Sequence, residues 1–177
     1  VSKIVDPDTG AEIGRPEHGL SEVGELCFRG PNVMAGYLNN DAATSETIDA
    51  DGFLHTGDLA RVDASGCIYI VDRLKELIKY KGYQVPPAEL EAVLLTHPGI
   101  ADTAVVGVRD PESGEEVPKA FVVLQPESAL TGDEIMDFVA GQVAPYKKVR
   151  QVAFIDAIPK SAAGKILRRE LRDIREV

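Results

Sequence analysis

Residues 101–124 read ADTAVVGVRDPESGEEVPKAFVVL and predict two neighbouring strands at the centre of a domain. The apolar runs 101–108 and 120–124 are rich in valine, which favours strands that are buried on at least one face. Between them the segment 110–114, DPESG, is typical of a turn, because these residue types favour tight backbone bends. We therefore expect strand, turn and strand to follow one another here.

Helices are predicted on either side of these strands. Pro86 and Pro87 stand where proline is tolerated, at the opening of a helix. The apolar face of this helix would comprise Leu90, Val93 and Leu94. Thr131 and Glu134 have capping-box spacing, which predicts a second helix that begins there, and Pro145 is expected to end it.

A further strand is predicted over residues 149–155 and a last helix over residues 166–175. Helical periodicity places the apolar side chains of this helix on one face and its arginines on the other. The expected inward residues are Leu167, Leu171 and Ile174, and the expected outward residues are Arg168, Arg169, Arg172 and Arg175. Three strands and three helices predict an α+β domain over residues 72–177.

The first part of the chain, residues 1–71, has a different pattern. Short apolar stretches alternate with turns, which predicts a β-rich region, interrupted by a short helix over 41–47. Residues 59–62 and 67–71 are expected to form a hairpin around the turn 63–66. We expect this region to be the end of a larger β structure, since it offers little to close a core of its own.

Composition limits the classes of function. The chain has 177 residues, 44% hydrophobic residues and a net charge of −10, which argues against a nucleic-acid partner. No segment has the length and apolarity of a membrane span, and no signal peptide is evident. Only two cysteines are present, without metal-ligand spacing, so we expect reduced thiols in a cytoplasmic protein and no metal site.

Positive charge is concentrated in three short segments of this acidic chain. Residues 73–81, 147–150 and 160–175 carry net charges of +3, +3 and +4. Local fields of this kind suit a small phosphorylated ligand better than a long polyanion. The alternative is that these charges lie at solvated ends of helices and strands.

Three motifs contain residues that could bind a ligand or take part in catalysis. In the run 55–58, HTGD, the carboxylate of Asp58 could accept hydrogen bonds from a ribose diol, although such residues also form ordinary turns. The segment 72–85, DRLKELIKYKGYQV, combines cations with a glycine that allows close backbone approach, or it is a solvated loop. Lys165 follows a small, flexible stretch and precedes the predicted basic helix. A cation that stabilises charge on a phosphate would explain its position, and a plain surface lysine would also fit.

Taken together, five separated motifs resemble the adenylate-forming superfamily, which includes acyl-CoA synthetases, 4-coumarate–CoA ligases, luciferases and carrier-protein adenylation domains. The motifs occupy residues 24–31, 33–37, 51–58, 71–91 and 159–171. The amino-acid sequence of residues 72–85 is most similar to that of the 4-coumarate–CoA ligase and luciferase branch. The resemblance implies that residues 1–71 are the end of the large N-terminal domain and that residues 72–177 are the C-terminal lid.

The resemblance also implies roles for individual residues. Asp58 would bind the ribose hydroxyls of ATP or AMP, with Arg73 and Lys75 near the nucleotide, and Asp72 would be the hinge of a swinging lid. Lys165 would reach the α-phosphate and the substrate carboxylate during adenylation. After rotation of the lid, another face would meet the adenylate and CoA. This face would comprise Lys79, Lys81, Gly82 and Gln84.

The phosphate loop, the magnesium-binding glutamate and the acyl pocket of the family are absent from this sequence. We therefore expect the C-terminal portion of an acid–CoA ligase of aryl or fatty acyl type, unable to adenylate by itself. Its partners would be the rest of its N-terminal domain, a small carboxylate, ATP with Mg²⁺, and CoA. The alternatives are a free-standing lid-like module that binds nucleotide or CoA without catalysis, and a luciferase-like or carrier-loading enzyme.

Overall fold

The computed structural model describes residues 1–174 and divides the chain into two compact units, Val1–Lys75 and Glu76–Val177. Arg175, which we predicted on the outer face of the last helix, lies outside the described residues. No helix in the described part is both long enough and apolar enough to cross a membrane.

The first unit is built on a five-stranded antiparallel sheet. Its strands have the spatial order β2-β1-β3-β4-β5. They are β1 (Ser2–Val5), β2 (Glu12–Ile13), β3 (Gly24–Phe28), β4 (Leu54–Val62) and β5 (Ile68–Arg73). Helix α1 (Asp41–Thr47) lies where the sequence predicts it, and the Asn40 side chain caps it by accepting a hydrogen bond from the Ala43 N–H. The predicted hairpin is confirmed as β4–β5.

The apolar interior of the first unit is small. One buried group consists of Ile4, Leu26 and Ala60, and a second consists of Val5, Cys27 and Phe53. These residues lie on strands β1, β3 and β4 or just before β4, so a single sheet supplies most of the interior.

The second unit contains the predicted α+β arrangement around a three-stranded sheet of order β10-β9-β8. Strands β8 (Ile100–Arg109) and β9 (Glu116–Leu124) are antiparallel, whereas β10 (Gln151–Phe154) runs parallel to β9. The remaining elements are the hairpin β6 (Ile78–Tyr80) and β7 (Tyr83–Val85) and the helices α2 (Pro87–Leu95), α3 (Gly132–Ala140) and α4 (Arg168–Asp173). The capping box at Thr131 and Glu134 is present, as predicted.

Both faces of this sheet are covered. Alternate side chains of a strand point to opposite faces, and residues 103–107 of β8 are all buried. On one face Val105, Ala120 and Val122 pack in a cluster that also contains Leu90 and Leu94 of α2 and Ile135 and Val139 of α3. On the other face Ala104, Val106 and Phe121 cluster with Ile158 and with Leu171 of α4. This second face holds the C-terminal helix in place.

Two helix predictions were wrong at their ends. Pro145 does not end α3, which stops at Ala140 with Gly141, a poor helix former, as its C-cap. Pro145 instead opens a short 3₁₀ turn, Pro145–Lys147. The last helix begins at Arg168 rather than Ile166, since the Leu167 N–H donates to the Pro159 carbonyl and Ile166 pairs with Lys160 in a β-bridge.

The predicted faces of that last helix also need correction. Leu171 is fully buried, as expected, but Ile174 is 44% exposed. Arg168, expected to face solvent, has a side chain only 17% exposed and is bound to Glu91. With only six residues, α4 is too short for sequence periodicity to define its buried face.

Candidate active site

Lys165 lies in a tight turn, not at the start of a helix as the sequence suggested. The Ser161 N–H donates to the Lys165 carbonyl oxygen at 2.8 Å, and the Gly164 N–H donates to the Ser161 carbonyl oxygen at 2.8 Å. Gly164 has φ of 77°, a conformation that glycine adopts without strain. Lys165 is exposed, and within residues 1–174 its ammonium group has no hydrogen-bond or ion-pair partner. A cation on a hydrogen-bonded turn is therefore available to a ligand.

The segment around residue 80 forms a hairpin that gathers four of the predicted residues. Lys79 and Gln84 are cross-strand partners, and Ile78 pairs with Val85. Because Ile78 and Val85 are buried, the alternation of the strands places Lys79 and Gln84 together on the exposed face. Lys81 and Gly82 form the turn, with φ of 49° and 81°, as a two-residue hairpin turn with both φ positive requires.

Two carboxylates at the start of β9, one on the strand and one just before it, hold the backbone of this hairpin. The Lys79 N–H donates to Glu116 at 2.8 Å, and the Lys81 N–H donates to Glu115 at 3.2 Å. Each lysine backbone is thus tied down, while the side chains of both lysines remain exposed.

Aromatic residues within this hairpin and next to it were missed by the sequence analysis. The rings of Tyr83 and Tyr146 stack with centroids 4.4 Å apart. The Arg150 guanidinium lies 4.8 Å from the centroid of the Tyr80 ring, and its hydrogen bond lowers the pKa of the Tyr80 hydroxyl. From the sequence, only the positive charge of residues 147–150 was noted in this region. The ring stacking could not be predicted, because Tyr83 and Tyr146 lie on separate elements that meet only in the folded unit.

In the first unit, the structure brings Asp58 and Arg73 together. They are cross-strand partners on β4 and β5, and Arg73 Nε donates to Asp58 Oδ1 at 2.9 Å. Asp72 Oδ1 accepts a hydrogen bond from the Arg73 N–H at 2.7 Å. Lys75 is exposed in the short 3₁₀ turn Leu74–Glu76 that follows β5.

The backbone that presents Asp58 is held by a buried carboxylate. Glu25, on β3, accepts a hydrogen bond from the Gly57 N–H at 3.0 Å and lies 2.7 Å from Nδ1 of His55. Gly57 has φ of 69°, so the chain bends just before Asp58. Sequence reasoning noticed the HTGD run but did not identify Glu25, which lies about thirty residues earlier.

One group of side chains has the composition of a metal site. Donor atoms of Glu25, Cys27 and His55 lie within 4.8 Å of one another. Burial and then the charge of Glu25 raise the pKa of the Cys27 thiol to about 11, so the thiol is protonated at neutral pH. The carboxylate of Glu25 is already hydrogen-bonded to the imidazole and to the backbone, and we interpret this group as a hydrogen-bond network that supports the bend at Gly57.

The chain is similar to known enzymes over nearly its whole length. Residues 89–165 match the family described as AMP-binding enzyme C-terminal domain. The chain is 57% identical to 4-coumarate–CoA ligase 3 of Oryza sativa subsp. japonica and 55% identical to 4-coumarate:CoA ligase 1 of Petunia hybrida. Each comparison covers 96% of this chain but only 30% of the relative, so the chain spans less than a third of these enzymes.

Solved structures of related enzymes show that the similarity extends to the fold. An ATP-bound RpMatB-BxBclM chimera superposes with a TM-score of 0.89 at 34% identity, over 98% of this chain and 33% of the chimera. O-succinylbenzoate CoA synthetase from Bacillus subtilis, in complex with AMP, gives a TM-score of 0.80 at 34% identity, over 99% of this chain and 34% of that enzyme. In sequence and in fold, the chain is therefore similar over nearly its whole length to part of the adenylate-forming enzymes, and residues 89–165 match the C-terminal domain of AMP-binding enzymes.

Proposed function

We propose that this chain is the C-terminal portion of an ATP-dependent acid–CoA ligase of the 4-coumarate, other aryl or fatty acyl type. The parent reaction would join a carboxylate to AMP, release pyrophosphate, and transfer the acyl group from the adenylate to the thiol of CoA. The observation that carries this proposal is that the candidate cations lie on two different elements: Lys165 on an exposed turn, and Lys79 and Lys81 on a hairpin. Exposed cations on two different elements suit a reaction with two chemical steps.

In this proposal the first unit contributes to nucleotide binding. The two carboxylate oxygens of Asp58 can accept hydrogen bonds from both hydroxyls of a ribose. Arg73 already contacts one of these oxygens and would stay close to the nucleotide, with Lys75 nearby in sequence. Residues 1–71 would complete a larger N-terminal domain that supplies the acyl pocket and the ligands of Mg²⁺.

The second unit would act as the lid, and Asp72, which lies on β5 shortly before this unit begins, would be the hinge. Lys165 would stabilise negative charge at the α-phosphate and the carboxylate while the adenylate forms. For the second step, the hairpin with Lys79, Lys81, Gly82 and Gln84 would face the adenylate. The neighbouring Tyr83–Tyr146 stack and Arg150 offer an aromatic and cationic surface suited to the nucleotide part of CoA. We also propose a cytoplasmic location, with which two unpaired cysteines agree.

A hybrid enzyme tests this assignment, with this chain in place of the matching part of the rice 4-coumarate–CoA ligase 3. Adenylation is followed by 4-coumarate-dependent ATP–pyrophosphate exchange, and thioester formation is followed from synthetic coumaroyl-AMP and CoA. Lys165→Ala should lower adenylation by about 100- to 1,000-fold and leave thioester formation nearly unchanged. Lys79→Ala and Gln84→Ala should instead lower thioester formation and leave adenylation nearly unchanged.

Arg169→Ala is the matched control, since it removes an exposed cation close to Lys165 in the chain. It should leave both half-reactions within about twofold of the unmodified hybrid. Equal losses of both half-reactions in Lys165→Ala, or none, would contradict the proposed role of Lys165. A folded hybrid that binds nucleotide but catalyses neither step would favour the lid-like binding module.

A further inference from the structure

The turn that carries Lys165 is attached to the rest of the second unit by two ion pairs, one before the turn and one after it. Before the turn, Lys160 Nζ lies 2.6 Å from Asp102 Oδ2. After the turn, the Arg168 guanidinium donates to both carboxylate oxygens of Glu91, at 2.7 and 2.9 Å. The ion pairs join the segment to strand β8 and to helix α2.

The two ion pairs differ in burial, and therefore in strength. The side chains of Lys160 and Asp102 are 40% and 34% exposed, so water and salt screen their attraction. The side chains of Arg168 and Glu91 are 17% and 12% exposed, and their contact is a charge-assisted pair of hydrogen bonds. The Arg168 pair is consequently the stronger anchor of the segment.

Arg168 also connects the segment to the central sheet. Glu91 Oε1 accepts a hydrogen bond from the Val105 N–H at 2.9 Å, and Arg168 Nε donates to the Val105 carbonyl oxygen at 3.4 Å. One arginine therefore joins α4, α2 and β8 around a single carboxylate. Both partners sit on elements that pack in the interior of the unit, since Leu90 and Leu94 of α2 and Val105 are fully buried.

Helix α4 cannot orient this region by itself. It has six residues and no side-chain hydrogen bond at its N-cap, Leu167, and short helices are marginal without tertiary contacts. Leu171 anchors it to the sheet through apolar packing, which is non-directional. The contacts of Arg168 are directional, since Nη2 donates to both oxygens of Glu91 and Nε donates to the Val105 carbonyl oxygen from the same planar group. Arg168 is only three residues from Lys165 in the chain.

We propose that Arg168 is a positioning residue for Lys165: by binding Glu91, it fixes the turn so that the Lys165 ammonium reaches the reacting phosphate in the adenylation step. The proposal rests on the proposed function, because it assumes that Lys165 serves adenylation. Small displacements of a group that stabilises charge are costly, since misplacement by about 1 Å can lower a rate about 100-fold. The CoA step, which uses the β6–β7 hairpin, does not depend on this anchor.

The test uses the rice hybrid and its two half-reactions. Arg168→Met should lower adenylation by about 10- to 100-fold, with thioester formation within about twofold of the unmodified hybrid. Arg168→Lys keeps the charge but lacks a second nitrogen that could donate to the Val105 carbonyl oxygen while the first binds Glu91, so it should restore only part of the adenylation rate. Arg169→Met, the matched control at the next position, should change neither step.

Arg168→Met leaves Glu91 without this partner and could unfold the unit, so a second variant and a second readout are needed. The double variant Glu91→Gln/Arg168→Met removes both charges and should show the same selective loss of adenylation. In the 177-residue chain itself, amide hydrogen exchange at Gly164 and Lys165 should rise about tenfold in Arg168→Met and not in Arg169→Met.

The outcomes separate this proposal from the one on which it rests. If Lys165→Ala abolishes adenylation but the folded Arg168 variants adenylate normally, the positioning role is refuted and the function of Lys165 stands. Equal losses of both half-reactions in the double variant would show a merely structural role for Arg168. If Lys165→Ala adenylates normally, the proposed role of Lys165 fails, and with it the assumption on which the positioning role of Arg168 rests.

Discussion

Removal of the Leu171 side chain beyond Cβ should destabilise the second unit by about 3 kcal/mol. Leu171 is fully buried and clusters with Ala104, Val106, Phe121 and Ile158 on one face of the three-stranded sheet. Leu171→Ala deletes three buried carbon groups, worth about 0.8 kcal/mol each in transfer free energy. The cavity that remains adds to this, which brings the total into the range of about 2–5 kcal/mol measured for buried leucines.

Leu95→Ala provides the matched control. Leu95 also lies on a helix of the same unit, at the end of α2, but it is 52% exposed. The same substitution there should cost less than about 1 kcal/mol, because most of its apolar surface already contacts water. Both variants make the same change in side chain, so the difference between their losses of unfolding free energy measures the effect of burial.

Native-state hydrogen exchange measures this free energy in the 177-residue chain. The slowest amides of β8 and β9 exchange through unfolding of the unit, so their rates report its free energy of unfolding. A loss of about 3 kcal/mol should speed their exchange about 150-fold in Leu171→Ala. An increase below about fivefold, or equal increases in both variants, would refute the view that Leu171 attaches α4 to the sheet.

Three further results are expected. The 177-residue chain alone should show no carboxylate-dependent ATP–pyrophosphate exchange, because the phosphate loop and the acyl pocket are absent from it; measurable turnover would contradict this. Iodoacetamide at pH 8 should alkylate the exposed Cys67 and spare Cys27 in the folded chain, because Cys27 is buried and its thiol pKa is raised to about 11; mass spectrometry of peptides gives the ratio, and urea should abolish the difference. Hydrogen bonds from Ser65 and Tyr69 lower the pKa of Asp63 to about 2, so its stabilising effect is complete above the unfolded value of 3.8 and is lost as the pH falls towards 2. In an NMR titration Tyr69→Phe should raise the pKa of Asp63, and an unchanged midpoint would exclude that hydrogen bond.

Local sequence signals predicted most elements of the second unit. The strands β8 and β9 follow from two valine-rich runs around a turn, and the start of α3 follows from the capping box at Thr131. These signals predict the elements correctly because turns and helix caps are formed by residues that are close together in the chain. The hairpin β6–β7 was not predicted, since three-residue strands give too little periodicity to distinguish a helix from an extended segment.

The residues of the candidate site were chosen from motifs, and their roles stay predictions; the sequence did not predict how these residues are arranged. The sequence identified Asp58, Arg73 and Lys165, and the resemblance assigned roles to them. The pairing of Asp58 with Arg73 and of Lys79 with Gln84 depends on strand register, which is set by the buried faces of each sheet.

The sequence by itself determined the α+β class, the family resemblance and the order of the longer elements of the second unit, because each is written in short motifs or in local periodicity along the chain. Only the tertiary structure decided that Arg168 points inward and that Lys165 lies in a turn. Periodicity places an arginine on the solvent face, since an unpaired charge is costly to bury. Its partner Glu91 is 77 residues away, so the contact that offsets this cost exists only once α2, β8 and α4 have packed together.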